Sequence, residues 1–246
     1  MLFLTIAGPG FITAAADDDA GGIATYAMAG ARYGYDFLWM LIVITFVLAL
    51  VQEMAARMGA VTGKGLADLI REKFGVRWTL LAMLTLLIAN AATIVAEFTG
   101  AASAPEILGV PRVIGVVAVA LVIWFTVARG SYGQVQRVFV VLAAVLLSYV
   151  VSGFLARPDW AEVGLAIAFP SFKLAAGYVL LFIGTIGTTI TPWMQFFLQS
   201  SVVDKGVTAA DYRYTRWDVI LGAFFTDFVA FFIIVSTATT IHAQGL

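Results

Sequence analysis

The stretch FLWMLIVITFVLALVQEMAA, at about residues 37 to 56, holds a single ionisable side chain, Glu53. A run of about 20 mostly apolar residues is what an α-helix needs to cross a bilayer, whereas a spanning strand needs only about 10. Inside lipid the backbone must satisfy its own polar groups, which leaves helices and closed barrels. Runs of this length therefore predict an all-α membrane protein. Composition agrees, because 62% of the 246 residues are hydrophobic and only 12% are charged. A soluble domain carries about 25% charged residues, so the solvent of this chain is largely lipid.

The same rule predicts seven segments: about 3 to 33, 37 to 56, 78 to 102, 112 to 128, 137 to 156, 174 to 202 and 218 to 241. No connection is long enough for a second domain, so residues 1–246 read as one transmembrane domain. The loops after the second, fourth and sixth segments hold Arg57, Lys64, Arg71, Lys73, Arg77, Arg129, Arg137, Lys205, Arg213 and Arg216. Those after the first, third and fifth hold Arg32, Arg112, Arg157 and Lys173. Basic residues collect on the cytoplasmic side, which puts the N-terminus there in a multi-pass protein of the cell (plasma or inner) membrane. Trp160, in the longest external connection, reads as an interfacial anchor. The net charge of −1 comes with no basic patch, so nothing suggests nucleic acid as a partner. No cysteine is present, which excludes disulfides and thiolate metal sites. The first apolar run meets an acidic cluster and no cleavage site, so no signal peptide is evident.

That cluster, Asp17, Asp18 and Asp19 in AAADDDAGGIATY, lies within an apolar segment. One ionised side chain at the centre of a span costs roughly 3 kcal/mol. The glycines Gly21 and Gly22 follow it directly, so the first segment is expected to be interrupted over 17–22. The sixth has a matching defect near GTTITPW, with Gly184, Gly187 and Pro192 close together. Unwound backbone at membrane depth is tolerated where it is buried in protein or lines a wet cavity. Paired interruptions five spans apart point to an inverted-repeat transporter of the LeuT-like kind, with its substrate site at the breaks. The first five-span repeat covers about 1–157, and the start of the second about 174–246. Ordinary glycine and proline kinks are the plainer reading of the sixth segment, but adjacent acids argue against that for the first.

Asn90, Thr93 and Glu97 share one helix face by their spacing, and a polar stripe in lipid should turn inward. Glu97 reads either as a functional acid or as a hydrogen-bonded packing residue. Asp227, mid-span in the seventh segment, reads as a packing residue or a cavity-wall acid. No nucleophile–base pair, zinc spacing or phosphate loop is present, so the chain is not read as an enzyme, and no cofactor is expected beyond the transported cation.

The motifs GPGFITAAADDDAGGIATY, NAATIVAEFTGAASAPEILGVP, GSYGQVQRVFVVLAAVLLSYVVSGFLARPDW and GTTITPWMQFFLQSS are similar to those of the Nramp family of divalent-metal transporters. Typical members carry Asp-Pro-Gly-Asn in the first break and Met-Pro-His in the sixth segment. Counted from the shared GPGF, Asp19 takes the aspartate position, Ala20 the proline, Gly21 the glycine and Gly22 the asparagine. Thr188 takes the alanine position whose carbonyl binds metal, Thr191 the methionine and Trp193 the histidine. These departures resemble the divergent Nramp-related branch associated with magnesium transport.

The resemblance implies that Asp19 is a direct metal ligand, with Thr188, Thr191 and Gly22 around the ion. Asp17 is expected to act through water or at the cavity wall, and Asp18 to add attraction for a dication. Gln195, one turn beyond Thr191, is a further candidate cavity residue. Losing the thioether favours hard ions, since oxygen ligands suit Mg²⁺, Ca²⁺ and Mn²⁺. Glycine at position 22 is expected to open space for a partly hydrated ion. Of the groups implied to carry protons in typical members, Glu97 is kept, but Ile94 and Trp193 replace an aspartate and the histidine. The lone histidine, His242, is at the far end of the seventh segment, so no mid-membrane histidine relay exists. The expected function is transport of Mg²⁺, and also Mn²⁺, by alternating access without proton coupling. The rivals are a proton-coupled Mn²⁺ symporter, an amino-acid or sodium-coupled carrier, and a truncated non-transporting membrane subunit. The resemblance implies at least ten spans, so a chain with seven reads as a fragment.

Overall fold

In the computed structural model the described residues are 10, 13, 16–129 and 132–245, with the side chains of 127, 132–140, 142 and 143 set aside. Most of the GPGF stretch lies outside them. The helices run α1 Ala20–Tyr33, α2 Leu38–Thr62, α3 Leu66–Phe74, α4 Val76–Ile107 and α5 Arg112–Arg129. They continue with α6 Tyr132–Leu155, α7 Trp160–Ala168, α8 Ala176–Thr189, α9 Pro192–Asp204 and α10 Tyr212–Thr240, before a short 3₁₀ turn at His242–Gln244. No strand occurs among the described residues.

The predicted segments appear as α1, α2, α4, α5, α6, the pair α8 and α9, and α10. Two short helices were not foreseen. The amphipathic α3 lies in the basic loop after α2. Helix α7 begins at Trp160, with the Asp159 carboxylate accepting from the amides of Ala161 and Glu162.

Both breaks differ from expectation in where the following helix starts. The turn in the first segment covers residues 16–19, and Gly21 and Gly22 already belong to the opening turn of α1. In the sixth segment only Ile190 and Thr191 leave helical geometry, while Gly184 and Gly187 are helical. Pro192 starts α9, where its missing N–H deprives the helix of nothing and its fixed φ suits the first position. The proline thus opens a new half-helix and does not kink an old one.

Helices α2 and α10 form the centre, with α1 and α9 packed on them. Their shared core has three layers: Tyr26, Phe37, Leu41, Tyr178 and Ile233 at one end, then Leu48, Met194 and Ala223, then Ala55, Ala56, Leu198 and Val219 at the other. Small residues permit this approach, as lipid supplies no hydrophobic drive between helices. At Gly30 a Cβ would collide with Thr237 and with the Ile234 carbonyl, so α1 and α10 touch there almost backbone to backbone. The long α4 is different, with only Leu86 and Ala102 buried.

Candidate functional site

The head of α1 carries two carboxylates. Asp19 is its N-cap, with extended backbone at φ −78° and ψ 175°, and its side chain accepts from the Gly22 amide at 2.6 Å. An aspartate in that position supplies a partner that a helix start otherwise lacks. From α4, Glu97 Oε2 accepts from the Ala20 amide at 3.3 Å and Oε1 from the Gly21 amide at 3.4 Å. Ala20 has an N–H to give because it is not the proline of the typical motif. A cleft of about 360 Å³ opens beside these groups, lined by Ala16, Asp19, Asn90, Thr93, Ile94, Glu97 and Trp193. The polar stripe on α4 therefore faces Asp19, as its spacing suggested.

The other side of the break is sealed. Asp17, Asp18 and Asp227 are 1%, 5% and 3% exposed. None of their carboxylate oxygens has a hydrogen-bond partner, and the charges of Asp17 and Asp18 repel each other and that of Asp227. Tyr26 offers no relief. The Thr189 hydroxyl gives its proton to the Thr185 carbonyl at 2.8 Å. The Tyr26 hydroxyl therefore donates to Thr189 Oγ1, also at 2.8 Å. The Thr191 hydroxyl and the amides of Gln52 and Gln195 are likewise without partners. A buried polar group in that state is costly, and this side gathers several of them.

The expectation of open space at Gly22 is corrected. A Cβ there would lie 3.0 Å from the Asp17 carbonyl oxygen, 3.3 Å from Asp19 Oδ1 and 3.5 Å from Thr188 Oγ1. Oxygens from both breaks crowd this point, so a side chain here would have to push them aside by a few tenths of an ångström. Of the predicted residues, Asp19 and Glu97 share the open cleft. Gly22 and Thr188 meet behind Asp19, while Asp17, Asp18, Thr191, Gln195 and Asp227 do not line the cleft. Among the described residues no three His, Cys, Asp or Glu side chains converge tightly enough to hold a metal ion. Gln52, wholly buried in α2, was missed, although a glutamine in so apolar a run was a visible signal.

His242 is far from the breaks, its Nδ1 donating to the Ala31 carbonyl at 3.0 Å. At the same end Lys173 pairs with Asp36 at 2.5 Å, and the Ser171 hydroxyl donates to Asp36 at 3.0 Å. Near the opposite end Gln199 Nε2 donates to the Lys64 carbonyl at 2.8 Å, tying α9 to the loop after α2.

A family described as natural resistance-associated macrophage protein-like (Nramp) matches residues 10–246. Similar solved structures include a manganese transporter from Eremococcus coleocola in complex with an aromatic bis-isothiourea substituted compound. That structure has TM-score 0.79 and 23% identity, over 96% of this chain and 51% of that chain. Two mutants of the same transporter give TM-score 0.82 at 24% and 23% identity, with the same coverage. The chain thus spans about half the length of these structures. Their fold is the one read from the sequence, a LeuT-like arrangement with interrupted first and sixth helices, present here in part.

Proposed function

Because the chain belongs to the Nramp family, whose members are multi-pass transporters of divalent metals, we propose that it serves transport of a hard dication by alternating access. Mg²⁺ is the first substrate and Mn²⁺ the second, and neither needs a coupled proton. The carrying observation is Asp19 at the head of a half-helix, on a cleft whose polar side chains besides Trp193 are Asn90, Thr93 and Glu97. Apart from the indole N–H, which donates only, that set offers oxygen and amide groups and no thioether, thiolate or imidazole. Hard oxygen donors suit Mg²⁺ and Mn²⁺. Mg²⁺ also keeps several waters and binds through one or two carboxylates, which fits an open cleft with two acids better than a closed cage. Asp19 is the direct ligand in this reading. Thr188 and Gly22 lie at its back, and Asp17, Asp18 and Asp227 are buried on the sealed side behind them.

A membrane potential supplies roughly 2.3 kcal/mol per charge per 100 mV, enough to draw a dication inward unaided. The N-terminus and the loops after α2, α5 and α9 are assigned to the cytoplasm of a cell membrane. Residues about 1–157 form the first repeat and about 174–246 begin the second. A second reading, proton-coupled Mn²⁺ transport, is favoured by the manganese transporters among the similar structures and by the retained Glu97.

Uptake of Mg²⁺ and Mn²⁺ into proteoliposomes, with an internal pH dye, separates the two. Uptake without acidification is expected. Acidification that tracks metal entry would establish the second reading, and absence of uptake would leave a non-transporting subunit.

A further inference from the structure

We infer that Glu97 is a positioning residue, whose carboxylate clasps the Ala20 and Gly21 amides and thereby sets the half-helix that presents Asp19 to the cleft. The inference rests on the reading of Asp19 as the ion ligand. Three observations carry it. Each oxygen of Glu97 takes one N–H, Oε2 from Ala20 and Oε1 from Gly21, so the carboxylate spans the first two amides of α1. Asp19 takes the third, from Gly22, and the two acids divide the orphan donors of one helix start between them. One helical turn after Glu97, a Cβ at Gly100 would sit 2.5 Å from the Ala20 Cβ, so the α4 backbone is pressed against the head of α1 where the clasp forms.

The clasp matters because α4 packs mainly on its chain neighbours α3 and α5 and touches the central bundle thinly. Only Leu86 and Ala102 are buried along its length, and it meets the central helices through α1 and, more thinly, α9. Packing on α10 and α8 sets the axis of α1, and the clasp acts on its first turn, where Asp19 sits. Two hydrogen bonds from Glu97 hold that turn against α4, the helix that also carries Asn90 and Thr93. Each Glu97 oxygen keeps a lone pair beyond its one amide, so the clasp fixes the carboxylate in place without taking its charge out of the cleft.

Two measurements on the chain in lipid test this. The first is amide hydrogen exchange at residues 20 and 21 in nanodiscs, which does not depend on transport. Glu97→Ala should speed exchange there about tenfold, and Glu97→Gln, which keeps one carbonyl acceptor, should do so less. Unchanged exchange in Glu97→Ala would overturn the clasp. The second is the concentration dependence of Mg²⁺ uptake. Glu97→Ala should raise KM with little change in maximal rate, and Glu97→Gln should restore most of the affinity. A glutamine variant as impaired as the alanine would overturn the positioning role, because the charge itself would then be at work.

Ala20→Pro guards against misfolding of the Glu97 variants. The extended ψ of Asp19 and the first helical position both accept proline, so the change deletes the N–H and puts a ring carbon where the Glu97 oxygen sits, breaking the clasp from the α1 side. It should raise KM alone but add nothing to Glu97→Ala, whereas additive effects would break the proposed link. Asp19→Ala keeps the two ideas apart. If uptake survives that change, the ligand reading fails, while faster exchange in Glu97→Ala would still establish the clasp.

Discussion

The two sides of the first break hold the same kind of group in opposite circumstances. On the cleft side, Asp19 and Glu97 satisfy three amides at the head of α1 and face open space. On the packed side, Asp17, Asp18 and Asp227 are almost wholly buried, without one hydrogen bond among their six carboxylate oxygens. Capped carboxylates near solvent keep one lone-pair face for a cation at little cost. Unpartnered ones in the interior shape the potential but are poorly placed to exchange an ion with water. The difference teaches that three adjacent aspartates divide into one candidate ligand and two background charges, and that the backbone turn between residues 16 and 19 makes the division.

The largest expected effect comes from removing the cleft-side acid. Asp19→Ala should reduce Mg²⁺ uptake about 100-fold, the scale of losing one charged partner of a desolvated pair, about 3 kcal/mol. Near-normal uptake would erase the distinction between the two sides. Next in size is Thr191→Met. The Thr191 hydroxyl is buried and unpartnered at the start of α9, and a thioether there supplies a soft donor beside the second break. Preference for Mn²⁺ over Mg²⁺ should rise about tenfold, measured by competition between the two ions, since softer donors favour later metals. An unchanged ratio would show that the break between α8 and α9 does not touch the ion.

Much of this was legible in the chain. Apolar runs of spanning length located the helices, because lipid forbids the alternatives. The spacing of Asn90, Thr93 and Glu97 placed them on one face, and that face lines the cleft. What escaped was whatever depends on distances between elements. The sequence marks Gly22 as small, but only packing reveals oxygens of Asp17, Asp19 and Thr188 around it. An emptied position and a crowded one are spelled with the same letter. Neither could spacing tell that Asp17 and Asp19, two residues apart, end on different sides of a turn. The stretch ITPW holds a proline that reads as a kink, yet Pro192 opens α9, because the two residues before it had already left the helix. Hydrophobic periodicity is silent on α3 and α7, whose short lengths fall below what it resolves in loops.

The smallest effect probes the packed side directly. Asp227 is central in α10 and lies near Asp17 and Asp18, with the Thr45 hydroxyl beside it. Asp227→Asn keeps the shape, removes one of three mutually repelling groups and supplies an amide N–H that the neighbouring carboxylates can accept. In metal-free buffer the variant should melt about 2–4 °C higher for each kcal/mol of repulsion relieved. The shift produced by adding Mg²⁺ carries the sharper information, because a ligand that binds the folded protein raises its melting temperature by mass action. If the ion binds beside Asp19, the Mg²⁺-induced rise in Asp227→Asn should match that of the unaltered protein. A rise that disappears would place the ion among Asp17, Asp18 and Asp227 and reverse the roles of the two sides. A lower melting temperature without metal would mean that Asp227, despite its unpartnered oxygens, holds the helices together.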